Sequence, residues 1–144
     1  MAKNGFRLGA VLRARKAQED AAKAAVVRAR GEAAVAHGAV HARERDLDGR
    51  RVPDGATSAA FAATLMARQA TAAALSAAIG AASLADETVQ ERLDDLTDAA
   101  VQRRTIEKLQ ERHDLTRKQT AAAIEAKAVD DLTTAAAYNR RGDA

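Results

Sequence analysis

GRRVPDG, residues 49–55, is the one strong interruption in a sequence otherwise suited to helix. Pro53 lacks a backbone donor and its ring disfavours helix at Val52, and Asp54-Gly55 suits a turn. Just beyond, Thr57 or Ser58 can cap a new helix by accepting a hydrogen bond from a free backbone N–H. The stretch predicts a helix over about residues 5–49, a turn over 50–56 and a second helix over about 57–139. Helices joined by so short a turn lie antiparallel. The expected fold is all-α: two long helices forming an antiparallel coiled-coil hairpin, in a single coiled-coil domain covering residues 1–144. At 1.5 Å per residue the helices would measure about 65 and about 120 Å. The second is then expected to overhang the first, unless its opening part folds back.

Periodicity on both sides of the turn supports this. Steps of four and three from Leu8 reach Leu12, Arg15, Glu19, Ala22, Val26, Ala29, Ala33, Ala36, Val40, Arg43 and Leu47. From Phe61 they reach Leu65, Arg68, Ala72, Leu75, Ile79, Ala82, Asp86, Val89, Leu93, Leu96 and Ala100. A repeat of 3.5 residues keeps a narrow apolar seam on one helix face and winds it left-handed. Arg15, Glu19, Arg68 and Asp86 interrupt the seam. After Ala100 the register slips, resuming near Ile106, Leu109, His113, Thr116 and Thr120. Gly80 with Ser83 as cap and Asp86 in the capping-box position offers a place where the second helix could break.

Composition argues against a thick core. Of the 144 residues 40 are alanine, and aromatics are confined to Phe6, Phe61 and Tyr138. Alanine buries little area, so at about 25 cal/mol per Å² such a core is worth little per residue. Abundant Ala, Arg, Glu, Gln and Leu favour helix instead. With no cysteine, disulfides and thiolate metal sites are excluded. No apolar run approaches the length that spans a bilayer, and the first residues do not read as a signal peptide. A cytoplasmic protein is the expectation.

The net charge of +3 hides an uneven distribution. Residues 1–51 carry 12 basic and 6 acidic side chains, residues 52–102 carry 2 and 7, and residues 103–144 carry 9 and 7. Such asymmetry can steer docking onto acidic partner surfaces. It also suits a merely solvated helix surface.

No constellation for catalysis emerges. His37 and His41 stand four apart, a spacing that can present two imidazoles to one metal, but nothing nearby completes a ligand set. Solvated histidines are the plainer reading, and His113 reads as a half-buried seam residue. The glycines are scattered and follow no strand, so no phosphate loop is formed. Ser58, Ser76 and Ser83 have no neighbouring histidine, and the adjacent acids Asp94-Asp95 and Asp130-Asp131 point to different faces. The expectation is a protein that is not an enzyme and uses no cofactor or metal. Nucleic-acid binding is disfavoured despite a pI near 9.6, because basic residues alternate with acids and no aromatic platform exists for bases.

Two stretches go beyond generic coiled coil. FRLGAVLRARKAQEDAAKAA, Phe6 to Ala25, places Phe6 and Leu8 before Leu12-Arg13, with Glu19, Ala22 and Lys23 following. RTIEKLQERHDLTRKQTAAAIEAKAVDDL, Arg104 to Leu132, carries Ile106, Glu107, Lys108, Leu109, Glu111 and Arg112. It ends in Asp130, Asp131 and Leu132, with Tyr138 and Arg140 beyond. These stretches resemble the two ends of the flagellar export protein FliJ family, over about a third of the chain. The alanine load and aromatic-poor middle depart from that family's usual pattern.

The resemblance implies a coiled-coil stalk similar to the shaft of rotary ATPases, and a chaperone-escort role in flagellar type III export. The implied partners are the hexameric export ATPase FliI, the export gate protein FlhA and substrate chaperones. The implied place is cytoplasmic, peripheral to the inner face of the cell membrane at the flagellar base. Virulence-type secretion stalks are close relatives of the family. Partner contacts are expected at Phe6, Leu8, Leu12 and Arg13 on the first helix, beside basic Lys3 and Arg7. On the second they are expected at Lys108, Arg112, Arg117 and Lys127. A general coiled-coil adaptor, or a basic nucleic-acid-associated helical protein, is the alternative.

Overall fold

The backbone changes direction where the helix-breaking residues stand. In the computed structural model, which describes residues 8–142, α1 spans Gly9–Gly49 and α2 spans Ser58–Gly142. Of the described residues 93% are helical and none lies in a strand, and the two long helices pack against each other as an all-α hairpin. Residues 5–7, expected to open the first helix, lie outside the described residues.

Between the helices, Gly55 adopts a φ of 73°, in the left-handed region that a side chain makes costly. Ala56 N–H donates to Pro53 O at 3.3 Å across the turn. The cap of α2 is Thr57, whose Oγ1 accepts from Ala60 N–H at 3.2 Å. α2 runs unbroken through Gly80, Ser83 and Asp86. Alanines at 77, 78, 81 and 82 favour helix strongly enough to absorb the glycine, which costs about 1 kcal/mol relative to alanine. A Cβ at Gly80 would meet nothing within 4 Å.

The last carbonyls of α1 have no partner within their own helix. Arg68 of α2 supplies one: its Nη1 donates to Leu47 O at 3.3 Å and also to Arg50 O. A cation at this end also meets the negative pole of the helix dipole. What interrupts the apolar repeat is thus a clamp between α2 and the end of α1.

Packing groups the residues into two compact units, Ala17–Ala100 and Met1–Lys16 with Val101–Ala144. In the first, the α1 side of the seam follows the expected steps through Glu19, Ala22, Val26, Ala29, Ala33, Ala36, Val40 and Leu47, whereas Arg43 is exposed. Glu19 is 7% exposed and its carboxylate lies 3.2 Å from Lys23 Nζ. Across from it, α2 departs from expectation. Arg68, Leu75, Ala82, Val89, Leu93, Leu96 and Ala100 face inward as expected, but the alternate positions fall one residue early. Thr64, Thr71, Ala78 and Ala85 take the places expected for Leu65, Ala72, Ile79 and Asp86. Phe61, Leu65 and Ile79 are left roughly half exposed.

The physical reason is the size of the seam. Small side chains let the backbones approach, and the threonines bring no unsatisfied polar group with them. Thr64 donates to Ala60 O at 2.9 Å and Thr71 to Ala67 O at 2.8 Å. Opposite the displaced Asp86, His37 Nε2 lies 3.0 Å from both carboxylate oxygens.

In the other unit, Leu8 just before α1 and Leu12 and Arg15 within it face inward, and so do Arg103, Ile106, Glu107, Gln110 and His113 of α2. Leu109, Thr116 and Thr120, expected in the seam, are exposed. Arg15 donates to Gln102 Oε1, Lys16 Nζ lies 3.9 Å from Glu107 Oε1, and Arg103 also pairs with Glu107. Polar side chains therefore add cross-helix contacts beside Leu8, Leu12 and Ile106, where Leu109 was expected to pack.

Four substitutions test this packing. In urea unfolding, Arg68→Ala should cost about 1 kcal/mol, since it strips a charged donor from Arg50 O and leaves Leu47 O with the Arg50 N–H alone. Gly80→Ala should instead add up to about 1 kcal/mol, because the helix gains propensity and the methyl group meets nothing. Replacing half-buried Leu96 with lysine should destabilise by about 2 kcal/mol. The same change at exposed Gln90 should stay within about 0.5 kcal/mol.

Candidate partner-binding surface

A helix that packs by a narrow seam leaves most of each side chain in water, and the chemistry of those side chains decides what can dock. Of the eight residues expected to meet a partner, the seven that are described fall in the unit formed by Met1–Lys16 and Val101–Ala144. Phe6, with Lys3 and Arg7, lies outside the described residues. Leu8 is half-buried and Leu12 only 8% exposed, so Leu12 is spent on the seam and presents little to a partner.

The five cations stand differently. Arg13, Lys108, Arg112, Arg117 and Lys127 are all exposed. None makes an ion pair or side-chain hydrogen bond among the described residues. Lys108 and Arg112 are four residues apart and share a face. Arg104, four residues before Lys108, extends their line, and exposed Leu115 lies on the same side. Five residues beyond Arg112, Arg117 is rotated well over a third of a turn from that line, and Lys127 points elsewhere again. Only part of the expected set therefore forms one patch.

Beyond His113 every α2 side chain described is exposed, and the seam face continues as a shallow concavity of about 390 Å³. It is lined by His113, Thr116, Arg117, Thr120, Ala121 and Ile124. Thr116 and Thr120 turn their hydroxyls back to Arg112 O and Thr116 O, both at 2.9 Å, and so present methyl groups. The result is an apolar strip with one cation, Arg117. A second groove beside it is lined by Asp114, Arg117, Lys118 and Ala121.

Arg104 and Lys118 were missed by the sequence reading. Their charge was visible, but which cations lie on one line depends on the phase of the helix, which slips after Ala100. Asp86 was likewise not recognised as the partner of His37, because 49 residues separate them. His41 turns to Glu44 of its own helix at 3.1 Å. Among the described residues no three His, Cys, Asp or Glu side chains gather to hold a metal ion. No helix among them is long and apolar enough to cross a membrane.

The family model described as Flagellar FliJ protein matches residues 4–142 of the 144-residue chain. No curated protein and no solved structure matches it.

The basic patch also sets an expectation for nucleic acid. Glu107, Glu111, Asp114 and Glu125 interleave with its cations, and no described aromatic side chain lies among residues 101–137. Duplex DNA should bind weakly and without sequence preference, and binding should vanish near physiological salt as counterion release loses its drive. A fluorescence-anisotropy titration across salt checks this. Micromolar binding that survives 200 mM salt would favour a nucleic-acid role.

Proposed function

The chain belongs to the flagellar FliJ family, a non-catalytic component of flagellar protein export, and on that premise we propose that it is the coiled-coil stalk of the export ATPase. Its partners in this reading are the hexameric ATPase FliI, the gate protein FlhA and the substrate chaperones it escorts. It works in the cytoplasm, peripheral to the inner face of the cell membrane at the flagellar base.

One observation carries the reading. Exposed cations without intramolecular partners collect in the unit that holds the start of α1 and the later part of α2. A ring with an acidic inner rim can hold such a surface by charge steering plus a few apolar contacts. Lys108, Arg112 and Arg104 form the cationic line, Leu115 and Ile124 offer the apolar contacts, and Arg13 contributes from α1. Arg117 and Lys127 point to other sides, which suits a body enclosed by a ring better than one docked on a flat surface. Leu12 keeps the two helices together so that these charges hold their spacing. The narrow seam of alanine and threonine helps too, because it keeps a helix pair thin enough to enter a ring.

The chain would act by binding alone, favouring the assembled hexamer over its subunits by mass action. Adding the purified chain to its cognate ATPase should therefore raise hydrolysis. Reversing Arg13 and Arg112 together to glutamate should weaken that stimulation about tenfold, two lost charge contacts at roughly 0.7 kcal/mol each. Helicity by circular dichroism should not change. The absence of both stimulation and co-purification at low salt would defeat the stalk reading and leave a general coiled-coil adaptor in its place.

A further inference from the structure

The break between the helices holds chemistry that neither the seam nor the exposed cations use. Among the described residues two aspartates precede a glycine, Asp48-Gly49 at the end of α1 and Asp54-Gly55 in the turn. The remaining described aspartates lie inside helices and precede residues with a side chain. An aspartate before glycine can cyclise, because the glycine has no Cβ to keep its backbone nitrogen from the carboxyl carbon. Both Asp48 and Asp54 are exposed, so solvent access does not distinguish them. The backbone does.

Asp48 and Gly49 are the last two residues of α1, where the Gly49 N–H is directed at the carbonyl four residues back. The chain is gripped on either side of the pair. Arg50 N–H donates to Leu47 O at 3.3 Å, and Arg68 Nη1 donates to both Leu47 O and Arg50 O. For the Gly49 nitrogen to reach the Asp48 carboxyl, the backbone must rotate about the Asp48 Cα–C bond and disrupt this end of the helix. Asp54-Gly55 stands outside both helices, with Gly55 at a φ of 73°. Neither the Gly55 N–H nor the Asp54 carboxylate has a hydrogen-bond or ion-pair partner among the described residues. The same rotation at Asp54 disturbs only the bond from Ala56 N–H to Pro53 O, at 3.3 Å.

We propose that Asp54-Gly55 is a site of spontaneous covalent modification, at which Asp54 converts to isoaspartate, and that the Arg68 clamp shields Asp48-Gly49 from the same reaction. In the first step the Gly55 nitrogen bonds to Asp54 Cγ. The hydroxyl of the protonated carboxyl leaves with the amide proton as water, closing a five-membered succinimide ring. Water then adds to one of the two ring carbonyls. Addition at Cγ restores aspartate. Addition at the main-chain carbonyl carbon of Asp54 breaks its bond to the Gly55 nitrogen, and the chain now runs through Cβ and Cγ. Atoms balance with water alone, and no oxidant, reductant or cofactor enters. The product has one methylene more in its main chain and a free carboxylate on the Asp54 Cα. That carboxylate is a methyl acceptor for an isoaspartyl carboxyl methyltransferase using S-adenosylmethionine. The added methylene falls between the helices, so the seam can stay intact. The reaction needs no partner protein, and its failure would leave the stalk reading untouched.

Incubating the folded full chain for weeks at neutral pH, followed by tryptic mapping, tests this. Cleavage after Arg45, Arg50, Arg51 and Arg68 puts the two sites on separate peptides, residues 46–50 and 52–68. Isoaspartate is read as a shift in peptide retention without a change in mass, and as methyl transfer from S-adenosylmethionine by an isoaspartyl methyltransferase. The product at Asp54 should exceed that at Asp48 by about fivefold or more, because the end of α1 must open before Asp48 can react. In urea, with the helices gone, the two sites should agree within about twofold. Asp54→Glu should abolish the product at residue 54, since it would need a six-membered ring, and should leave helicity unchanged. Arg68→Ala should raise the product at Asp48 by about threefold or more while circular dichroism still shows the hairpin folded. A folded chain that forms no isoaspartate at Asp54, or as much at Asp48 as at Asp54, overturns the proposal. An Arg68→Ala variant in which Asp48 stays as protected as in the parent overturns the shielding by the clamp.

Discussion

Alanines and threonines at the positions where α1 and α2 are most deeply buried, Ala29, Ala33, Thr71 and Ala82 among them, let the two backbones approach, and much of the packing follows from that constraint. The buried apolar set among the described residues is Leu12, Val26, Ala29, Ala33 and Ala82, three of them alanine. Dispersion and burial scale with the atoms removed from water, so such a seam holds weakly per residue and discriminates poorly between registers. Polar contacts supply the discrimination. Arg68 on the last carbonyls of α1, His37 against Asp86 and Arg15 against Gln102 each require a particular residue opposite. A longer apolar side chain at Thr71 or Ala82 would add burial but force the backbones apart, and these contacts would lose their reach.

A thin seam also leaves the outer faces of both helices free for other work. In Ala17–Ala100, α2 carries a single charge before Asp86, that of Arg68, and then a run of exposed acids from Asp86 to Asp98. In the unit that includes Val101–Ala144 the exposed face is crowded with cations. Membership of a flagellar export family fits a molecule whose chemistry lies in its surface. Its shallow grooves are open to solvent and suited to contact, not to enclosing a substrate.

The turn and both helices were legible because proline, glycine and threonine act locally, through the backbone of the residues beside them. The α1 seam was legible too, since Leu8, Leu12, Val26, Val40 and Leu47 mark it with large side chains. On α2 the reading began from Phe61 and Leu65, which are large but sit on the flank. Alternating steps of three-then-four and four-then-three fit an alanine-rich helix equally well, and only the depth of the partner helix decides between them. Gln110 replaced Leu109 for the same reason. The pairing of His37 with Asp86 depends on the register of two helices, a property no single stretch of sequence contains. For the partner surface, residue type was visible and phase was not, so Lys108 and Arg112 were found together while Arg104 was overlooked.

The turn at residues 50–57 also sets an order on how the hairpin closes. Arg68 and Leu47 are 21 residues apart in sequence, whereas Arg15 and Gln102 are 87 apart. Joining the nearer pair costs about 1 kcal/mol less in loop-closure entropy than joining the farther pair from an open chain. Once Arg68 has bound the end of α1, each further contact closes only a short additional loop, so closure proceeds as a zipper. During synthesis α1 emerges complete but without its mate, and its alanine-rich seam exposes little that could aggregate while it waits. The small side chains that make the finished seam weak are then what keep the half-made chain harmless.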